Sequence, residues 1–76
     1  MDNQLGSRIL KTGSSGADVR YLQLILQSLG YNPGPIDGIY GYRTMNAVIR
    51  FQRNNGLAAD GIVGPKTVNM LFQLYP

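Results

Sequence analysis

The stretch DGIYGYRTMNAV, residues 37–48, returns 23 positions later as DGIVGPKTVNML, residues 60–71. Aligned on their Asp-Gly pairs, the copies share Asp37 with Asp60, Gly38 with Gly61, and Ile39 with Ile62. They also share Gly41 with Gly64, Thr44 with Thr67, and Asn46 with Asn69. Each copy follows a glycine and an apolar residue, and each runs into apolar positions at helical spacing. The simplest physical account is one loop-to-helix entry used twice. Asp turns the chain and accepts backbone N–H bonds, and Gly takes a backbone angle that other residues resist. Ile is expected to plug the core, the second Gly to lead into the helix, and Thr to sit in its first turn. Asp37, Gly38, Gly41, Thr44, Asp60, Gly61, Gly64 and Thr67 are therefore expected to be turn architecture.

Working outward from the repeat gives three helices. Upstream, Val19, Leu22, Ile25, Leu26 and Leu29 recur at helical spacing and predict a first helix over 16–29. Ser15 and Asp18 have the spacing of a capping box at its start, and Gly30 with Pro33 ends it. The second helix is predicted over 42–54, with Met45, Val48 and Phe51 as its inner stripe and Ala47 beside them. The third opens at Gly64 and Pro65, a good first-turn residue, and runs through Val68, Leu71 and Phe72 toward Tyr75. No segment alternates like a strand. The predicted fold is all-α, a small closed three-helix bundle with Gly- and Pro-rich loops. Residues 1–8 are expected to be a flexible arm, with the domain proper over 9–76 and Ile9 and Leu10 anchoring the arm to the core.

Composition narrows the function. Seventy-six residues allow one small domain, and without cysteine, packing alone must hold it. His and Glu are also absent, so no Ser-His-Asp arrangement, thiol nucleophile or His-based metal site can be built. Asp37 and Asp60 occupy equivalent turn positions and make a poor acid-base pair. A calcium loop needs alternating oxygen ligands, where DGIYGYRT offers Ile and Tyr. No catalytic residue, metal or cofactor is expected. The net charge of +3 mildly favours anionic partners such as nucleic acid, acidic polysaccharide or a bacterial wall. Arg43, Arg50 and Arg53 could be drawn as a recognition face. Roughly ten residues between the second and third helices are too many for a helix-turn-helix, however, so nucleic acid is disfavoured. No apolar run is long enough to span a membrane, and the polar start MDNQLGSR is no signal peptide, so export would have to come from a leader or parent chain.

What both copies carry is scaffold; what one copy alone carries is the better candidate for a site. Tyr40 stands opposite Val63 and Tyr42 opposite Pro65, and the longer loop with Tyr31 and Asn32 belongs to the first copy. Tyrosine combines a flat apolar body with a polar tip, suited to the C–H faces of a sugar. Tyr40, Tyr42 and Tyr31 are candidate contacts, with Arg43 and Asn46 reaching acetamido or carboxylate groups and Arg20 and Gln23 as flanks. The competing reading is that a tyrosine merely lids the core; it is preferred for Tyr21 and Tyr75 and stays open for Tyr40 and Tyr42.

The ordered set Gly13, Gly16, Val19, Leu22 and Gln23, then the doubled Asp-Gly-x-x-Gly-x-x-Thr, then Ala47, Val48, Phe51 and Gln52 resembles the peptidoglycan-binding domain family of type one. The resemblance covers about residues 10 to 72. It implies a three-helix, non-catalytic module carried by a cell-wall hydrolase such as an amidase, carboxypeptidase or cortex-lytic enzyme. It implies peptidoglycan as partner, through glycan, stem peptide or both, and a location in the wall, the periplasm or outside the cell. A monomer without nucleic-acid or membrane partners is expected. The alternative is a protein-interaction or structural helical module.

Overall fold

The computed structural model of the chain describes residues 5–75. Three helices follow in order: α1 (Ala17–Ser28), α2 (Tyr42–Asn54) and α3 (Pro65–Leu74). No helix among the described residues is long and apolar enough to cross a membrane. Each helix turns one stripe inward. Val19, Leu22, Ile25 and Leu26 of α1 meet Ala47, Val48 and Phe51 of α2 and Val68 and Leu71 of α3. Burying each of the large aliphatic side chains is worth about 1.5–3 kcal/mol, and in a chain this short that is most of what holds the helices together.

The helix ends use backbone and glycine rather than side chains. Gly16, Gly41 and Gly64 are the N-caps, and none makes a side-chain capping bond. The capping box expected at Ser15 and Asp18 does not form. Asp18 instead accepts Arg8 Nε at 2.8 Å and Arg8 Nη2 at 3.1 Å, and the Val19 N–H at 2.9 Å. At the other ends, Tyr31 N–H donates to Leu26 O at 2.8 Å and Leu57 N–H to Gln52 O at 2.9 Å. These are the six-to-one bonds with which a glycine-terminated helix closes its last turn.

The segment before α1 is part of the body. Leu5 and Leu10 are buried in the core, whereas Ile9 is 58% exposed. Arg8 is tied to Asp18 and donates from Nη2 to Ser15 O at 2.6 Å. The expected arm thus begins to pack at Leu5; residues 1–4 lie outside the described part. From Leu10 onward the chain runs as a ribbon between the two Asp-Gly turns. Leu10 exchanges both backbone bonds with Val63, at 3.1 and 2.8 Å. Gly13 N–H donates to Tyr40 O, Tyr40 N–H to Ser14 O, and Gly16 N–H to Gly38 O. Two isolated antiparallel bridges, Leu10 to Val63 and Ser15 to Ile39, are all the β-structure among the described residues.

Candidate functional site

Each Asp-Gly turn is wrapped around the amide of a buried glutamine. In the first, the two hydrogens of Gln23 Nε2 are shared among Asp37 Oδ1 (3.2 Å), Ile39 O (3.0 Å) and Thr44 Oγ1 (3.0 Å). Its Oε1 accepts the Gly38 N–H at 2.9 Å. In the second, those of Gln52 Nε2 are shared among Asp60 Oδ1 (3.2 Å), Ile62 O (2.9 Å) and Thr67 Oγ1 (3.2 Å). Its Oε1 accepts the Gly61 N–H at 2.9 Å. Asp37 Oδ1 and Asp60 Oδ1 each also take the N–H two residues on, at 3.0 and 2.9 Å. The two glutamines make the same set of contacts, and the structural unit is a helix glutamine, a turn and the next helix. The Ile39 N–H, and after it the Gln23 amide, hold the Asp37 carboxyl below the usual carboxylate range.

Over each cage lies a groove. The first has a volume of about 280 Å³ and is walled by Pro33, Pro35, Ile39, Tyr42 and Arg43 over Gln23 and Thr44. The second is larger, about 490 Å³, with Leu57, Ala58, Ile62, Pro65 and Lys66 over Gln52 and Thr67. The spacing from glutamine to turn explains the difference. Fourteen residues separate Gln23 from Asp37, but only eight separate Gln52 from Asp60. α1 runs further past its glutamine than α2 does, and the longer return lays Pro33 across the first cage. There Thr44 Oγ1 donates to Pro33 O at 3.2 Å.

The sequence-predicted contacts separate into two groups. Tyr42, 73% exposed, and Arg43 stand together at the rim of the first groove. Asn46 lies one turn further along α2 and is half-buried; Arg20 is exposed beside Gly38, away from the groove walls. Tyr40 and Gln23 are corrections. Tyr40 is 1% exposed, and its hydroxyl donates to Gly61 O at 2.7 Å, bracing one turn against the other. Its position and that of Val63 both face the core, so the copies differ there in volume and not in exposure. Burial pushes the Tyr40 hydroxyl well above its ordinary pKa. Gln23, fully buried, has both ends of its amide committed to the cage.

Tyr31 is the third correction. It packs edge-on against Phe51 with ring centroids 5.5 Å apart, and its hydroxyl accepts Asn54 Nδ2 at 3.1 Å. Asn54 lies about 18 Å along the helix axis from Tyr42, at 1.5 Å per residue, so Tyr31 closes the end of α1 and does not join the first groove. The second groove has no aromatic wall to mark it in the sequence; its sides are Leu57, Ala58, Ile62 and Pro65. A usable signal was present in the unequal spacing between each Leu-Gln or Phe-Gln pair and its Asp-Gly turn.

The sequence profile of the peptidoglycan binding domain family matches residues 15–71. The zinc D-Ala-D-Ala carboxypeptidase of Streptomyces albus G is 51% identical over 73 residues, 90% of this chain and 28% of that protein. The spore cortex-lytic enzyme of Bacillus subtilis is 46% identical over 67 residues, 87% of this chain and 22% of that protein. An amidase of Mycobacterium tuberculosis, CwlM, is 51% identical over 59 residues, 78% of this chain and 14% of its own length. The chain thus spans well under a third of these relatives. Among solved structures, a peptidoglycan-binding protein from Clostridioides difficile, in complex with glutamine hydroxamate, matches with a TM-score of 0.88 at 43% identity, over 92% of this chain and 44% of that one. The N-terminal domain of SleB matches with a TM-score of 0.88 at 38% identity, over 91% of this chain and 94% of that one.

Proposed function

Because the chain belongs to the peptidoglycan binding domain family, and is the binding module of such proteins rather than their catalytic part, we propose that it holds an attached wall-cleaving enzyme against its polymeric substrate. Its workplace is then the cell wall. The contact surface is the rim of the first groove, and the observation that carries this assignment is the pairing of an exposed aromatic ring with a cation. Tyr42 offers a flat apolar face to the C–H side of a sugar ring. Arg43 supplies donors for acetamido or carboxylate oxygens, and Asn46 follows one turn further along α2. The area is small and the polar groups are hydrated, so a single contact is weak, about micromolar to millimolar. Weak single contacts suit a module that acts as a monomer on a polymer with many sites, since a tethered enzyme must also move.

Sedimentation with purified sacculi tests this. Wild-type chain should co-sediment, and Tyr42→Ala with Arg43→Ala should lower retention about tenfold, the loss expected for an aromatic and arginine anchor. Tyr40→Phe alters only the interior and should leave retention unchanged. A wild-type chain left in the supernatant would remove the functional reading. Full retention of a folded double variant would remove the site.

A further inference from the structure

The two cages differ in one hydroxyl. Thr44 and Thr67 hold equivalent places, 2% and 5% exposed, and each accepts a bond from its glutamine. Thr44 then donates its own hydrogen to the Pro33 carbonyl. The Thr67 hydroxyl has no acceptor among the described residues, and it lies in the floor of the larger groove. The shorter connection of the second copy leaves unfilled the space that the Pro33-Gly34 peptide covers in the first. Its hydrogen is thus left to the groove, where a ligand carbonyl would take it as the Pro33 carbonyl takes that of Thr44.

The first copy therefore displays the chemistry that fits the second: a peptide carbonyl on the threonine hydroxyl. Leu57, Ala58, Ile62 and Pro65 give the second groove walls suited to methyl side chains. Lys66 and Asp60 line the same groove with opposite charges. A short peptide carrying both a carboxylate and an amine matches that pair; a neutral N-acetylated sugar matches neither.

We propose that the groove over Gln52 and Thr67 is a second binding subsite, taking the alanine-bearing stem peptide of the wall with a peptide carbonyl on the Thr67 hydroxyl. The subsite rests on the peptidoglycan-binding reading but not on the Tyr42 rim. Two subsites built by one duplicated turn let a single small domain hold glycan and peptide together, so each contact raises the local concentration of the other.

The test is a titration of isotope-labelled chain, following backbone amides, with two soluble probes. One is a synthetic tetrapeptide of L-alanine, D-glutamate, a diamino acid and D-alanine; the other is a tetramer of N-acetylglucosamine. The peptide should move the amides of Leu57, Ile62, Lys66 and Thr67, and the sugar should leave them in place. Thr67→Val, which keeps the shape and removes the hydroxyl, should weaken the peptide about fivefold to tenfold. Thr44→Val should not weaken it. Lys66→Glu, a surface change, gives an independent arm and should also weaken the peptide. Peptide shifts absent from this groove, equal shifts with the sugar, or unchanged affinity in both folded variants would overturn the subsite. Sedimentation of the wild-type chain with sacculi alongside a silent Thr67 groove would sink this proposal alone; no sedimentation at all would sink the functional reading beneath it.

Discussion

Gln52 reaches a turn nine residues away and satisfies a buried N–H, a carbonyl and a hydroxyl with one amide. Truncating it to alanine breaks these bonds, and the one to Asp60 Oδ1, at once and strands a buried Gly61 N–H. A buried unsatisfied group costs about 1–3 kcal/mol, so Gln52→Ala should lower unfolding free energy by about 2–4 kcal/mol. Gln23→Ala should do the same, since its bonds are the same. The check is the urea midpoint, read with an unchanged slope. Acid tests a second residue-scale contact. Asp18 is held below its ordinary pKa, first by the Arg8 side chain and then by the Val19 N–H against the opposing effect of burial, and Asp37 is also lowered. A carboxyl lowered in the folded state stabilises above its unfolded pKa, about 3.9, and that contribution is lost as pH falls toward the folded value. Melting temperature should therefore hold near neutrality and drop as the solution is acidified below about pH 4. Arg8→Ala should shrink the drop.

At the scale of elements, the two turns give a paired experiment. Gly38 and Gly61 sit at φ of +77° and +74°, so alanine meets the same left-handed penalty at both, about 1–2 kcal/mol. Their surroundings differ. A β-carbon on Gly38 would stand 3.1 Å from the Gly16 carbonyl oxygen, a backbone atom fixed by the Arg20 N–H. On Gly61 it would meet Met45 Cγ at 3.0 Å, and a methionine can swing away. Gly38→Ala should therefore be worse than Gly61→Ala by about 1 kcal/mol, in thermal or urea melts. Equal losses would mean that the ribbon over 10–16 yields as easily as a side chain. The element boundaries themselves were readable. The second helix is predicted over 42–54 and α2 spans Tyr42–Asn54. Glycine on either side of an apolar stripe of period 3.6 leaves little freedom there. The start of α1 was less readable, because Asp18 has the spacing of a cap but an arginine ten residues earlier takes it.

Across the whole molecule, the duplicated turn is what joins three short helices into one body. The ribbon from Leu10 to Gly16 pairs with both copies, and Tyr40 crosses from the first to the Gly61 carbonyl of the second. Both grooves face solvent; the first is marked by its Tyr42 rim and the second by the Thr67 hydroxyl beneath it. The Tyr42 variant acts on the rim of the first groove and the Thr67 variant on the floor of the second. Tyr42→Ala alone should shift the melting midpoint little, within about 0.5 kcal/mol, while wall retention falls, a combination that calorimetry beside sedimentation would show. The sequence by itself determined the helices, the turns and the family, since period, glycine placement and the doubled Asp-Gly motif are local and act within a few residues. Only the tertiary structure decided which of the distinctive side chains meet solvent. Tyr40 and Tyr42 stand two residues apart in the same motif, yet one is sealed between the turns and the other is open. That outcome depends on which way each backbone position faces once the ribbon and the second turn have closed over the core, and those partners come from distant parts of the chain.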